Sequence, residues 1–191
     1  LRGILPVGQL FLVVPLAHVA DQADGAECQR GQSRYGVEEK ATLIITKEST
    51  GRLTATGGGY GAAGIGGRAT VPEHENTIIS YKTGTIEIQG GNIHAVGGDC
   101  WLSGSAVHLG GAGIGTGMYG IGGTVRILGG TVKAEGGKDT GAGIGGGDNG
   151  AVDSIQIGEK NGEAPEVEAN SWNVKYGAAI GSGRSAQSGL K

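Results

Sequence analysis

The chain has 191 residues, room for one domain of ordinary size, and 43 of them are glycine, against a usual share of roughly 7%. Only 4 prolines and no strict Gly-x-y period exclude collagen, and recurrent Ile, Val and Leu exclude a low-complexity disordered chain. A net charge of −3 without a long basic run argues against a nucleic-acid surface. Aromatics at 4% leave no large aromatic core, so narrow aliphatic ladders fit this composition better than a globular interior.

Residues 1–34 carry no repeat. Leu10 to Ala20 reads LFLVVPLAHVA, an apolar run broken by Pro15 and too short to span a bilayer. Arg2 ahead of it gives the outline of a secretion signal, but His18 and Asp21 make a poor cleavage region. A non-native leader is the expected reading. Cys28 and Cys100 lie far apart in dissimilar contexts, so neither a disulfide nor a CxxC metal or redox pair is argued.

Repeat-like sequence begins at SRYGVEEKATLIIT, and residues 35–191 are predicted to form one repeat domain. One phrase then occurs four times: apolar-x-apolar, a glycine turn, apolar-x-Ala, a second glycine turn, and a glycine-rich motif centred on isoleucine. The first part supplies Leu43 and Ile45, Ile86 and Ile88, Val125 and Ile127, Ile155 and Ile157. The second supplies Leu53 and Ala55, Ile93 and Ala95, Val132 and Ala134, Val167 and Ala169. The motif itself reads AAGIGGR, GAGIGTG, GAGIGGG and GAAIGSG, centred on Ile65, Ile114, Ile144 and Ile180. Alternation with period 2 and β-branched residues predicts strands with these side chains inward. Gly90-Gly91, Gly129-Gly130, Gly97-Gly98 and Gly136-Gly137 are expected to turn the chain with positive φ.

A unit that buries one isoleucine cannot make its own core, so the copies must stack. The shortest copy, Thr124 to Ser154, gives a period of 30 residues, enough for three short strands and three turns. The prediction is an all-β, right-handed parallel β-helix of about four coils. Helical solenoids lack such glycine pairs, and a β-sandwich has no reason to repeat one phrase. Insertions at Arg68–Thr83, Asp99–Leu109 and Glu159–Pro165 are the loops in which function is sought. The sequence stops at Lys191 after SAQSG with no polar cap, which predicts a C-terminally truncated array with further coils of the same chain as its neighbours.

Phrases such as GTIEIQGGNIHAVGG followed by GAGIGTG resemble the glycine-rich repeats of large secreted or cell-wall-attached bacterial surface proteins. The resemblance covers about Tyr35 to Gly183. It implies an extracellular or cell-surface location and a kinship with carbohydrate-binding β-helix domains and adhesin stalks. It implies no catalytic residue, since every matching position is structural.

Pectate-lyase-like enzymes share the β-helix, and their chemistry needs clustered carboxylates on one groove. The outward columns here are Thr54, His94, Lys133, Glu168 and Thr56, Val96, Glu135, Asn170. Neither column stacks two acids on neighbouring coils, and only the first copy has the paired Thr of an ice-binding face. GGGDNG around Asp148 is similar to a calcium-repeat phrase but occurs once, so Ca²⁺ is not expected and no other cofactor is implied. His74 between Glu73 and Glu75 reads as a solvated loop histidine, and His94 and His108 with Asp99 and Cys100 lack diagnostic metal spacing. The scarce aromatics carry more weight. Tyr60 and Tyr176 stand just before their isoleucine motifs, Tyr119 just after one, Trp101 in the second-copy loop and Trp172 ahead of the fourth motif. Exposed rings of this kind stack on sugars. The sequence therefore predicts a non-catalytic extracellular surface, stalk or adhesion module with a polysaccharide or a host or cell-wall glycan as partner, and no nucleic acid or membrane span. A polysaccharide lyase or hydrolase is the alternative.

Overall fold

The computed structural model describes residues 10–14, 35–37, 39–69, 80–101, 108–159, 162, 164–172 and 176–184. The Val71–Asn76 loop with His74, and Cys28, lie outside the described residues. Strands β1 (Leu10–Val14) and β2 (Tyr35–Gly36) precede the first full copy, β3 (Ala41–Ile45), β4 (Arg52–Thr56) and β5 (Ile65–Gly66). The second copy holds β6 (Thr85–Ile88), β7 (Asn92–Val96), a short ribbon β8 (Asp99–Cys100) and β9 (Leu109–Gly110), then β10 (Ile114–Gly115). The third is β11 (Thr124–Ile127), β12 (Thr131–Glu135) and β13 (Ile144–Gly145), and the fourth β14 (Ser154–Ile157), β15 (Glu166–Asn170) and β16 (Ile180–Gly181).

Equivalent strands pair in parallel and form three long sheets, ordered β1-β3-β6-β11-β14, β4-β7-β12-β15 and β2-β5-β10-β13-β16. The fold is a parallel β-solenoid whose four layers enclose about three full turns. Register follows the repeat. Leu43, Ile86, Val125 and Ile155 face one another across successive coils, as do Leu53, Ile93, Val132 and Val167, and Ile65, Ile114, Ile144 and Ile180. Thr124 pairs with Ser154, so one period is one coil. The ladders meet in a single core in which Ile65, Ile86, Ile93, Ile114 and Ile144 are fully buried. In the fourth layer the same columns open, and Ile157 and Ile180 are 39% and 48% exposed.

Two features depart from the sequence reading. Leu10–Val14, within the segment read as outside the repeat, pairs in parallel with β3 as the outermost strand of the first sheet. The glycine pairs also divide by cause. Gly91 and Gly130 do have positive φ, of 84° and 81°. Gly97, Gly98, Gly136 and Gly137 do not. They are needed because a Cβ there would fall on the carbonyl oxygens of Gly111, Gly58, Gly141 and Gly98 respectively. The third sheet combines both demands: Gly145, at φ 134°, would also drive a Cβ onto the Gly181 carbonyl. Backbones packed this closely leave room for one large side chain per copy, which is why isoleucine stands alone among Gly and Ala.

Among the described residues no helix is long and apolar enough to cross a membrane.

Candidate functional site

The corner between the second and third sheets carries the most distinctive chemistry. In the third coil this corner is the short turn around Lys138–Thr140. In the second it grows into the β8–β9 ribbon, paired antiparallel with Asp99 opposite Gly110 and Cys100 opposite Leu109. Strand alternation buries Cys100 and leaves its neighbours Asp99 and Trp101 outward, Trp101 being 57% exposed. Leu109 anchors the ribbon in a small apolar cluster with Ala62, Ala69 and Met118. Buried Thr140, reaching from the next coil, locks it further: its Oγ1 accepts from the Gly110 N–H at 2.7 Å and donates to the His108 carbonyl at 3.3 Å.

His108 sits at the centre of this corner. Its Nδ1 lies 3.0 Å from Asp99 Oδ2, its Nε2 lies 3.0 Å from Lys138 Nζ, and its backbone N–H donates to Asp139 Oδ2 at 2.9 Å. An ammonium can only donate, so with Lys138 charged Nε2 accepts and Nδ1 carries the proton given to Asp99. The imidazole is thus held at both ends and its tautomer fixed.

Four of the five aromatic candidates fall on this corner. Counting from the isoleucine ladder, Tyr60, Trp101, Trp172 and Tyr176 all lie between a second-sheet strand and the following third-sheet strand, while Tyr119 lies beyond the third sheet. Their environments differ. Trp172 is 70% exposed, whereas Tyr60 and Tyr119 are partly buried against the Ala62–Leu109–Met118 cluster, which occupies part of each ring. Tyr60 and Tyr119 also have positive φ, of 65° and 56°, an uncommon state for a bulky residue. Tyr60 and Tyr176 are near-equivalents only, five and four residues ahead of their respective isoleucines. Counted from the second-sheet strand instead, the fourth copy's linker to its isoleucine is one residue longer than the first copy's.

A second polar group lies on the outer face of the second sheet. Lys133 Nζ is 2.6 Å from Glu135 Oε1 and 3.9 Å from Glu168 Oε1, and Glu135 Oε1 is 3.7 Å from His94 Nε2. Column by column the sequence shows no stacked acids, but the two carboxylates meet diagonally across adjacent coils through the lysine. The hydrogen bond from Lys133 and its positive charge hold the Glu135 carboxyl below the ordinary carboxylate range, and the bond to Glu135 raises Lys133 above the ordinary lysine value. Both groups are held in their charged forms, whereas acid–base work at neutral pH draws a carboxyl up or a lysine down. On the first sheet Arg126 Nη1 stands 3.6 Å from Glu87 Oε2, facing it in register from the next strand.

Asp148 is engaged by neighbouring side chains. Its buried carboxylate is held by Arg184, with Nε to Oδ1 at 2.9 Å, and by Asn149 Nδ2 at 2.7 Å. Its column reads Ala69, Met118, Asp148, Arg184, so no second acid stacks on it as a calcium repeat requires. Asp99 faces His108. Among the described residues no three of His, Cys, Asp and Glu gather as a metal site.

Lys138 and Asp139 are not singled out by the sequence. The signal that could have found them is their position: they are the short turn of the copy that follows the insertion, so an inserted ribbon leaning one coil onward must rest on them.

Residues 86–118 and 125–148 match the family model described as the beta helix repeat. No curated protein and no solved structure matches the chain. The matched segments are the second and third coils, where strand register and burial are most regular, and they are β-helix repeats of a parallel β-solenoid.

Proposed function

We propose that the chain is a non-catalytic, carbohydrate-contacting module of an extracellular bacterial surface or stalk protein. The observation carrying this reading is the pair of largely exposed indoles, Trp101 and Trp172, on one corner of a chain with so few aromatics. An indole buries a large apolar face at low entropic cost and suits the flat face of a sugar ring. The surface location is supported by the resemblance of the GAGIGTG-type phrases to secreted repeat proteins. A glycan array with fluorescence readout tests the proposal. Binding without release of reducing or unsaturated ends is expected, and an array with no binder overturns it.

A second reading, a polysaccharide-acting enzyme, is favoured by one observation: the Asp99–His108 pair, since a carboxylate on Nδ1 is how a histidine is oriented for proton transfer. Release of new chain ends from any polysaccharide, lost in His108→Gln, would establish it in place of the first.

A further inference from the structure

Register fixes where the two tryptophans stand relative to each other. Asn170 pairs with Glu135 and Glu135 with Val96, so two residues further on Trp172 shares a column with Gly137 and Gly98. Gly98 is the residue from which the β8–β9 ribbon departs, and Trp101 is on that ribbon's outward side. The indoles therefore belong to the second and fourth coils at one corner. Two strand spacings separate those coils, about 10 Å along the solenoid axis. Between them lies the third coil, whose corner is the short Lys138–Thr140 turn with the base of the β8–β9 ribbon resting on it. The corner thus carries an aromatic residue on the coil to either side of this polar turn.

The middle of the corner is polar and already ordered. Asp99 and Asp139 offer carboxylate oxygens, Lys138 offers ammonium hydrogens, and His108 ties all three together. Two carboxylates and one ammonium around the imidazole leave no positive surplus to attract a polyanion. Alternating acceptors and donors held in fixed positions instead match hydroxyl groups, each of which both donates and accepts, and little further ordering is needed on binding.

We infer that this corner binds a neutral, linear, extended oligosaccharide lying parallel to the solenoid axis. Trp101 and Trp172 stack on two separate sugar rings, and the Asp99–His108–Lys138–Asp139 group bonds the hydroxyls of the ring or rings between. The inference rests on the carbohydrate reading above and adds the ligand's charge, shape and direction. A coil spacing comparable to the rise of one sugar unit in an extended chain lets successive coils address successive rings. The prime consequence is that affinity depends on ligand length, and that the dependence resides in Trp172 as well as Trp101.

The test uses the full chain and calorimetric titration with cello-, manno- and xylo-oligosaccharides of two and six units, beside an array that includes polygalacturonate, heparin and sialylated fragments. At least one neutral hexasaccharide is expected to bind about tenfold or more tightly than its disaccharide. Trp172→Ala should bring that ratio to within about twofold of one, and Trp101→Ala should weaken the hexasaccharide similarly, both with unchanged melting temperatures. If Trp101→Ala alters folding, Trp101→Leu replaces it. Equal binding of both lengths, or a hexasaccharide affinity insensitive to Trp172→Ala, overturns the axial site while leaving the carbohydrate reading in place. Binding only of acidic glycans does the same. Binding of none overturns both.

Discussion

Asp148 and Arg184 occupy one column on adjacent coils, and the arginine Nε reaches the buried carboxylate at 2.9 Å. The column is apolar earlier in the chain, where Ala69 and Met118 fill it, so the pair introduces charge into a position otherwise used for packing. Removing the arginine leaves a buried carboxylate with Asn149 as its remaining side-chain partner among the described residues. Arg184→Ala should therefore destabilise the chain by about 3 kcal/mol, the lower end for a broken buried pair because the arginine remains partly exposed. The double variant Asp148→Met, Arg184→Met continues the Met118 column and should recover most of that loss. Denaturant unfolding of both variants decides it, and a double variant no better than the single would show that the charges do more than compensate each other.

Position in the stack should govern the cost of losing a core isoleucine. Ile144 is fully buried with a rung on either side, and Ile144→Ala should cost about 2–5 kcal/mol. Ile180, in the same ladder but 48% exposed, should cost only about 1 kcal/mol. Similar values for the two would mean that neighbouring coils do not share the ladder's energy.

The glycine wall can be tested separately from the core. Gly145→Ala meets both a left-handed backbone and the Gly181 carbonyl, so at least about 1–3 kcal/mol is expected from conformation alone. A Cβ added at Gly158 would have nothing within 4 Å, and Gly158→Ala should stay within about 0.5 kcal/mol of the parent. Thermal melts of the two variants provide the comparison.

The Lys133–Glu135 pair sets a pH dependence whose direction follows from the two shifts. The Glu135 carboxyl is lowered, so its contribution is present above the ordinary carboxylate range and fades as pH falls through the lowered value. Lys133 is raised, so its contribution is present below the ordinary lysine value and fades as pH rises through the higher one. Stability from this pair should be flat at neutral pH, falling at both extremes, and smaller at high salt. Glu135→Gln should flatten part of the acid limb. An acid limb identical in parent and variant would show the pair to be thermodynamically silent.

The ladders are legible in the sequence because a solenoid repeats its contacts: Ile65, Ile114, Ile144 and Ile180 can be superposed, and register then follows by counting. The same counting places Glu87 beside Arg126 and Lys133 beside Glu168, because one shifted residue would turn those charges into the core. What the sequence hides is not periodic. DCWLSGSAVHL shows no strand alternation of its own, and the seat of His108 on Lys138, Asp139 and Thr140 comes from the direction in which the ribbon leans. Leu10–Val14 lacks the glycine phrase and so reads as leader, although it takes the edge of the first sheet. At Gly97 and Gly98 the residue type points to a turn but not to its cause: φ is a local property, while the approach of the Gly111 and Gly58 carbonyls comes from stacking.

Three parallel ladders join each coil to the next among the described residues. Tension applied along the axis therefore loads the inter-coil junctions one at a time. Releasing a coil of 30 residues, as between Thr124 and Ser154, frees about 100 Å of extended chain. Pulled along its axis, such a stack would lengthen in a sawtooth of near-equal steps, each set by the rupture of one set of three ladders.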